Sequence, residues 1–199
     1  DSSVQKSNNF LGAYSSYQIR GFTLRNAANY LRDGRTFFHL SAPPVEVLER
    51  VEVLKGPSSV LYGTLTPGGL INMIPKRAYD TPQTSVKATV GMYDLYHAHL
   101  DHGGPLTSDG SVRYRVNAVY ENSESYRHFA DGTPFQTERL VLSAALDWDV
   151  GDATSFTLNA DYTDDNRPQD LGLASVTGDF SALDYDTIFV QPWSRYDSD

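Results

Sequence analysis

The sequence predicts two folds in series: an α+β module over residues 1–77, then antiparallel β-strands over residues 78–199. Three observations predict this. Short apolar bursts separated by Gly and Pro occupy the first part, and from about residue 83 five segments alternate apolar and polar residues with period two. The connections between those segments also alternate, from short polar turns to longer loops.

In the first part, Ile19-Arg20-Gly21-Phe22, Val45-Glu46-Val47-Leu48 and Val51-Glu52-Val53-Leu54 are the apolar bursts, and Lys55-Gly56-Pro57 interrupts them. The segment Ser58-Ser59-Val60-Leu61-Tyr62-Gly63 reads as one helical turn, capped by Ser58 or Ser59 and ended by Gly63. Thr66-Pro67-Gly68-Gly69 marks a tight turn before the strand Leu70-Ile71-Asn72-Met73-Ile74. Gly56, Gly63, Gly68 and Gly69 are the positions where a turn or a close backbone approach requires glycine.

In the second part, Val86, Ala88 and Val90 oppose Lys87 and Thr89, and Tyr96, Ala98 and Leu100 oppose His97, His99 and Asp101. The third strand sets Val112, Tyr114, Val116, Ala118 and Tyr120 against Arg113, Arg115, Asn117, Val119 and Glu121. The fourth sets Leu140, Leu142, Ala144, Leu146 and Trp148 against Val141, Ser143, Ala145 and Asp147, and the fifth sets Phe156, Leu158, Ala160 and Tyr162 against Thr157, Asn159 and Asp161. Tight turns are predicted at 107–110 and 151–153, and long loops at 125–135 and from Asn166 to the chain end. Tyr114, Trp148 and Phe156 lie on the apolar face near the tight turns, with Tyr120 and Tyr162 on the same face towards the loops. Two aromatic belts around an aliphatic band suit the two interfaces of a membrane. A two-sheet sandwich with one face in water produces the same alternation, so the pattern leaves both architectures open.

Composition excludes more than it selects. The chain has 16 Lys+Arg against 25 Asp+Glu, so 16 − 25 = −9, which argues against a nucleic-acid partner. It has no Cys, which removes disulfide staples and Cys-based zinc sites. A mean hydropathy of −0.42 and the lack of any long apolar run exclude a transmembrane helix, but alternating barrel strands average out on such a scale. No leader opens the sequence, so it is expected to be processed or cut from a longer chain.

Residues 46–77, from Glu46-Val-Leu-Glu-Arg-Val-Glu-Val-Leu-Lys-Gly-Pro through Tyr62-Gly63 and Pro67-Gly68-Gly69-Leu70-Ile71-Asn72 to Lys76-Arg77, closely resemble the plug signature of TonB-dependent outer-membrane receptors, in the version of the ferric-siderophore receptors. Ile19-Arg20-Gly21-Phe22 resembles the shorter motif that precedes it in that family. One departure is Pro75, where a strand donor is usual.

The resemblance implies the C-terminal part of a plug domain (1–77) followed by the first five or so strands and outer loops of an antiparallel transmembrane β-barrel (78–199). Such plugged barrels have about 22 strands, so the chain is expected to be a fragment. It further implies import of a ferric siderophore with energy relayed by TonB, whose contact segment would lie outside these residues, in the outer membrane of a Gram-negative bacterium. The partners are then the chelate, TonB and membrane lipid, with no resident cofactor or metal (iron travels only as a chelate) and no enzymatic step. Receptors of the same build that carry cobalamin, haem or a glycan form the alternative, as does a soluble β-rich binding or adhesin module. Phe37 and Phe38 fall where hydroxamate-siderophore receptors of the family place aromatic ligand contacts, with Tyr30, Asn26 and His39 as further candidates. Arg20 and Lys55 correspond to the two plug cations that latch onto barrel carboxylates, whose partners would lie beyond residue 199. Two acidic or His-rich groups carry no role by themselves. His97, His99 and Asp101 with His102 nearby read as lumen polarity rather than a metal site, and Asp147 and Asp149 form no acid–base pair.

Overall fold

The computed structural model describes residues 4–7, 16–38, 44–56, 67–168, 186–188 and 195–198. The chain divides into two units, Asp1–Lys76 and Arg77–Asp199.

The N-terminal unit is built from two small sheets. In the first, β1 (Val4–Ser7) pairs antiparallel with β2 (Ser16–Ile19), which pairs with β3 (Phe22–Thr23). The second contains β4 (Tyr30–Arg32), β5 (Arg35–Thr36), β6 (Leu48–Lys55) and β7 (Gly69–Pro75), in the order β5-β4-β7-β6. Strand β7 is central, parallel to β4 and antiparallel to β6. Its seven residues are nearly all buried, which explains a run apolar but for Asn72 where an edge strand would alternate. Pro75 ends β7 opposite Leu48, next to a register shift, where the missing N–H costs the ladder little. A 3₁₀ turn over Val45–Val47 leads into β6. The expected helical turn at 58–63, with Ser58, Ser59 and Gly63, lies outside the described residues.

The two-residue hairpins of this unit follow from glycine. Arg20 and Gly21 have φ of 52° and 81°, and Asp33 and Gly34 have 51° and 75°. Two successive left-handed residues make the type I′ turn, whose twist matches that of the strands it joins.

The C-terminal unit is one antiparallel sheet. Its strands are β8 (Gln83–Gly91), β9 (Leu95–Pro105), β10 (Val112–Phe129), β11 (Pro134–Asp149) and β12 (Ser155–Pro168), paired in sequence order. The two-residue strand β13 (Thr187–Ile188) adds to β10 in parallel, and β14 (Arg195–Ser198) pairs with β12. The register keeps faces intact across five strands. One row reads Val86–Leu100–Ala118–Leu142–Tyr162, and the row beside it reads Ser85–Asp101–Asn117–Ser143–Asp161.

This sheet is inside-out relative to a sandwich in water. On β10 and β11 the apolar row faces outward: Val116, Tyr120, Leu142 and Trp148 are 36, 43, 43 and 49% exposed. The face carrying the charges is the buried one, with Arg115, Asn117 and Asp101 at 7, 4 and 5%. The charges there are matched across strands, Arg115 to Asp101, Arg139 to Glu121 and Arg113 to Asp149, at 2.8, 2.9 and 2.8 Å. An apolar exterior over a paired polar interior fits a lipid-facing wall. Trp148 and Phe156 are cross-strand neighbours on the apolar face, with ring centroids 5.9 Å apart. Tyr120 and Tyr162 lie six residues farther along their strands from Tyr114 and Phe156, about 20 Å at the strand rise. That is of the order of the ~25 Å apolar band of a barrel.

Two sequence expectations need correction. The loop expected over Ser125–Phe135 is strand: β10 runs to Phe129 and β11 resumes at Pro134. The turn is only residues 130–133, closed by Phe129 N–H donating to the Thr133 carbonyl and Gly132 N–H to that of Phe129, at 2.9 and 2.8 Å. The stretch was hidden because the register shifts between Glu124 and His128 and both faces are polar there, so period two disappears although the strands run on. Likewise Asn166 does not open a loop to the chain end. Strand β12 continues to Pro168, and β14 returns to pair with Asp165–Pro168 as a sixth strand.

Candidate functional site

The two motifs singled out in the sequence, some 45 residues apart, meet in the N-terminal unit. A Cβ on Gly68 would lie 2.7 Å from the Ile19 carbonyl oxygen and 2.9 Å from the Phe22 Cβ, so the Ile19–Phe22 hairpin and the Pro67-Gly68-Gly69 turn touch through bare backbone. Gly69 is more constrained still. It has φ of 128°, and a Cβ there would sit 2.0 Å from the Leu54 carbonyl oxygen. Gly56, with φ of 101°, meets open space, so its role is conformational alone.

Two asparagines bolt this hub together, and sequence reasoning gave neither a role. Asn29 is fully buried; its Nδ2 donates to the Gly69 carbonyl at 2.7 Å and its Oδ1 accepts from Arg25 N–H at 3.1 Å. Asn72 sits inside the quoted motif and spans three elements. Its Oδ1 accepts from Gly34 N–H at 3.0 Å, and its Nδ2 donates to Glu52 Oε2 at 2.9 Å. Hydrogen bonds from Arg50 and then Asn72 hold the Glu52 carboxyl below its ordinary value. The signal for Asn72 was a polar residue inside an otherwise apolar central strand. Such a group is tolerated only when bonded.

Of the proposed ligand contacts, Phe37 and Phe38 follow β5 and are 36 and 60% exposed. Phe37 N–H donates to the Tyr30 carbonyl at 2.9 Å, and the Arg32 guanidinium carbon stands 5.9 Å from the Phe37 ring centre, within cation–π range. Asn26 is half-buried in the 25–29 turn. Tyr30 is 1% exposed, and burial pushes its phenol up to about 12. Its side chain is taken up by the fold. His39 lies outside the described residues. Arg20 is exposed at the tip of its hairpin in the left-handed region, and Lys55 is exposed at the end of β6, opposite Gly69.

The histidines of β9 separate. His99 Nε2 lies 3.3 Å from Asn117 Oδ1 on the polar face. His102 is on the opposite face, with Thr84 Oγ1 and the Tyr114 hydroxyl each 2.8 Å from its two ring nitrogens. Asp101 is claimed by Arg115.

Residues 1–70 match the family model "TonB-dependent Receptor Plug Domain". Those residues carry the plug domain of the TonB-dependent receptors. Among its relatives are the metal-pseudopaline receptor CntO of Pseudomonas aeruginosa, 32% identical over 77% of this chain and 21% of that protein. The ferrichrome outer membrane transporter/phage receptor of Escherichia coli K12 is 30% identical over 73% of this chain and 20% of that protein. The solved structure of the pyoverdine outer membrane receptor FpvA from Pseudomonas aeruginosa, bound to pyoverdine, matches with a TM-score of 0.67 at 30% identity, over 79% of this chain and 24% of that one. This receptor chain thus spans about a fifth of the length of the curated relatives it matches. The N-terminal unit is the plug domain and the C-terminal unit a run of antiparallel barrel strands, and the relatives it matches are outer-membrane receptors. The relatives are receptors and transporters rather than enzymes.

Proposed function

We propose that the receptor of which this chain is part binds a ferric siderophore from outside the cell and imports it with energy relayed by TonB. The observation that carries the reading is the exposed pair Phe37 and Phe38 at the end of a plug hairpin, with Arg32 beside the Phe37 ring. A bulky iron chelate offers a largely apolar outer surface with polar edges, which suits aromatic walls and a few well-placed donors. The relatives that carry ferrichrome, pyoverdine and metal-pseudopaline in their names support the same cargo class. Iron is then cargo held by its chelator, and no covalent chemistry is asked of the protein. Arg20 and Lys55 serve in this reading as the cations that latch the plug.

The test is equilibrium binding to the full-length receptor in detergent, read by quenching of intrinsic fluorescence, with ferric hydroxamate, catecholate and mixed chelates as probes. Fully burying a Phe side chain is worth about 1.5–3 kcal/mol. The F37A/F38A double variant should therefore weaken the preferred chelate roughly tenfold or more. An unchanged Kd would remove these residues from the site. Binding of cobalamin, haem or a glycan with no response to any ferric chelate would overturn the cargo assignment.

A further inference from the structure

The segment between the plug sheet and the first wall strand is seated more firmly than a linker requires. Lys76 N–H still donates to the Val47 carbonyl, within the plug, at 3.0 Å. From the next residue onward the chain bonds to the wall. Arg115 Nη1 donates to the Arg77 carbonyl at 3.3 Å, and Ala78 N–H donates to Asp147 Oδ2 at 3.2 Å. The Tyr79 ring lies flat against Arg115, whose guanidinium carbon is 4.0 Å from the ring centre. Asp80 reaches Arg113 at 3.5 Å.

The seat is built for this chain. Arg115 is held by a two-pronged pair to Asp101, with Nε and Nη2 each 2.8 Å from a carboxylate oxygen, and both side chains are below 10% exposed. A Cβ on Gly103 would stand 3.0 Å from Tyr79 Cδ2 and 2.4 Å from the Tyr114 carbonyl oxygen; one on Gly104 would stand 2.9 Å from Pro82 Cα. Consecutive glycines in a wall strand leave room for the connector to lie directly on the backbone. Asp147, which carried no role in the sequence, bonds both Ala78 and Thr157.

We infer that residues 77–82 are a fixed anchor: they stay seated on the barrel wall while the plug rearranges, and the Lys76–Arg77 junction, between the last plug bond and the first wall bonds, is the hinge. Arg115 and Tyr79 are positioning residues for gating. The inference rests on the proposal that TonB acts on the plug. Its consequence is geometric, because a pulled plug then has a defined end point and returns to the same register.

The experiment pulls the full-length receptor, reconstituted in liposomes, from its N-terminus in a single-molecule force measurement. In wild type the plug event should end before residue 77. In Tyr79→Ala and in Arg115→Ala it should lengthen by the six connector residues, roughly 20 Å of extended chain, and Tyr79→Phe should restore the wild-type length. Arg115→Ala removes the guanidinium paired with buried Asp101, so Tyr79→Ala decides if that variant does not fold. Wild-type receptor that releases residues 77–82 together with the plug, or variants with wild-type lengths, overturn the anchor. TonB-dependent uptake of a labelled ferric chelate is measured separately in cells. Its absence would refute the proposed function while leaving the pulling result to decide the anchor.

Discussion

If the apolar face of the sheet is turned to lipid, a single cation placed at its middle should be costly, and the structure gives the amount. Ala144 is exposed and lies in the row with Val116 and Ala160. Trp148 is four residues below it and Leu140, level with Tyr120, four above, so each belt is about 13 Å away along the strand. An arginine there cannot place its charge fully in either interface. At that depth in a barrel the penalty is about 2–4 kcal/mol, roughly 30- to 700-fold in the folded-to-unfolded ratio. The control is Asn159→Arg, also exposed but on the opposite face, across from Ala145, where no lipid penalty applies. Urea titration of full-length receptor in lipid vesicles, followed by tryptophan fluorescence, measures both. An Ala144→Arg effect within about 0.5 kcal/mol of wild type is what a water-exposed surface would give. That result, or equal costs for the two variants, would refute the lipid-facing assignment.

Three further outcomes follow from the plug and a turn. Gly69→Ala should destabilise the plug by several kcal/mol, because both the left-handed φ and the 2.0 Å approach to Leu54 forbid a side chain, whereas Gly56→Ala should cost only about 1–2 kcal/mol of backbone strain; thermal denaturation of the receptor compares them. Asn29→Ala removes a buried donor from the Gly69 carbonyl and should cost about 1–3 kcal/mol, read as faster hydrogen exchange at Ile71. At the 107–110 turn, hydrogen bonds from Thr107 and then Ser111 lower the Asp109 carboxyl to about 2. The folded value lies below the unfolded one, so the turn's stabilisation is present above about pH 4 and is lost as pH falls through about 2. Exchange at the Ser111 amide should therefore show extra opening only in that acid window. Asp109→Asn, which retains the acceptor but cannot ionise, should flatten the response.

Period two was legible wherever one face differed from the other, as in Val112–Glu121 and Leu140–Asp149, and it faded where Ser123–Arg127 made both faces polar. There the register also shifts between Glu124 and His128, and single residues carry no sign of it. The plug motif was legible because glycine and proline choices are local. What those residues hold was not, since Asn29 and Gly69 meet only after forty residues of intervening chain. Tyr30 is the converse case: nothing in its place in the sequence shows that the ring is buried. Arg115, Asp101 and Asp147 were visible only as polarity on an inward face. Their partners in residues 77–80 come from a segment with no pattern of its own.

The unusual length of β10 and β11 bears on how such a receptor can diversify. Eighteen and sixteen residues are well beyond the nine to eleven needed to cross a bilayer, so the hairpin, with one register shift between Glu124 and His128, is longer than a crossing requires and ends in a four-residue tip. An inserted residue within the ladder would turn every later side chain onto the other face. One added between Phe129 and Pro134 alters nothing below it. Inherited length variation is thereby channelled to the crest of the hairpin, where a new outer surface can arise without renegotiating the wall beneath.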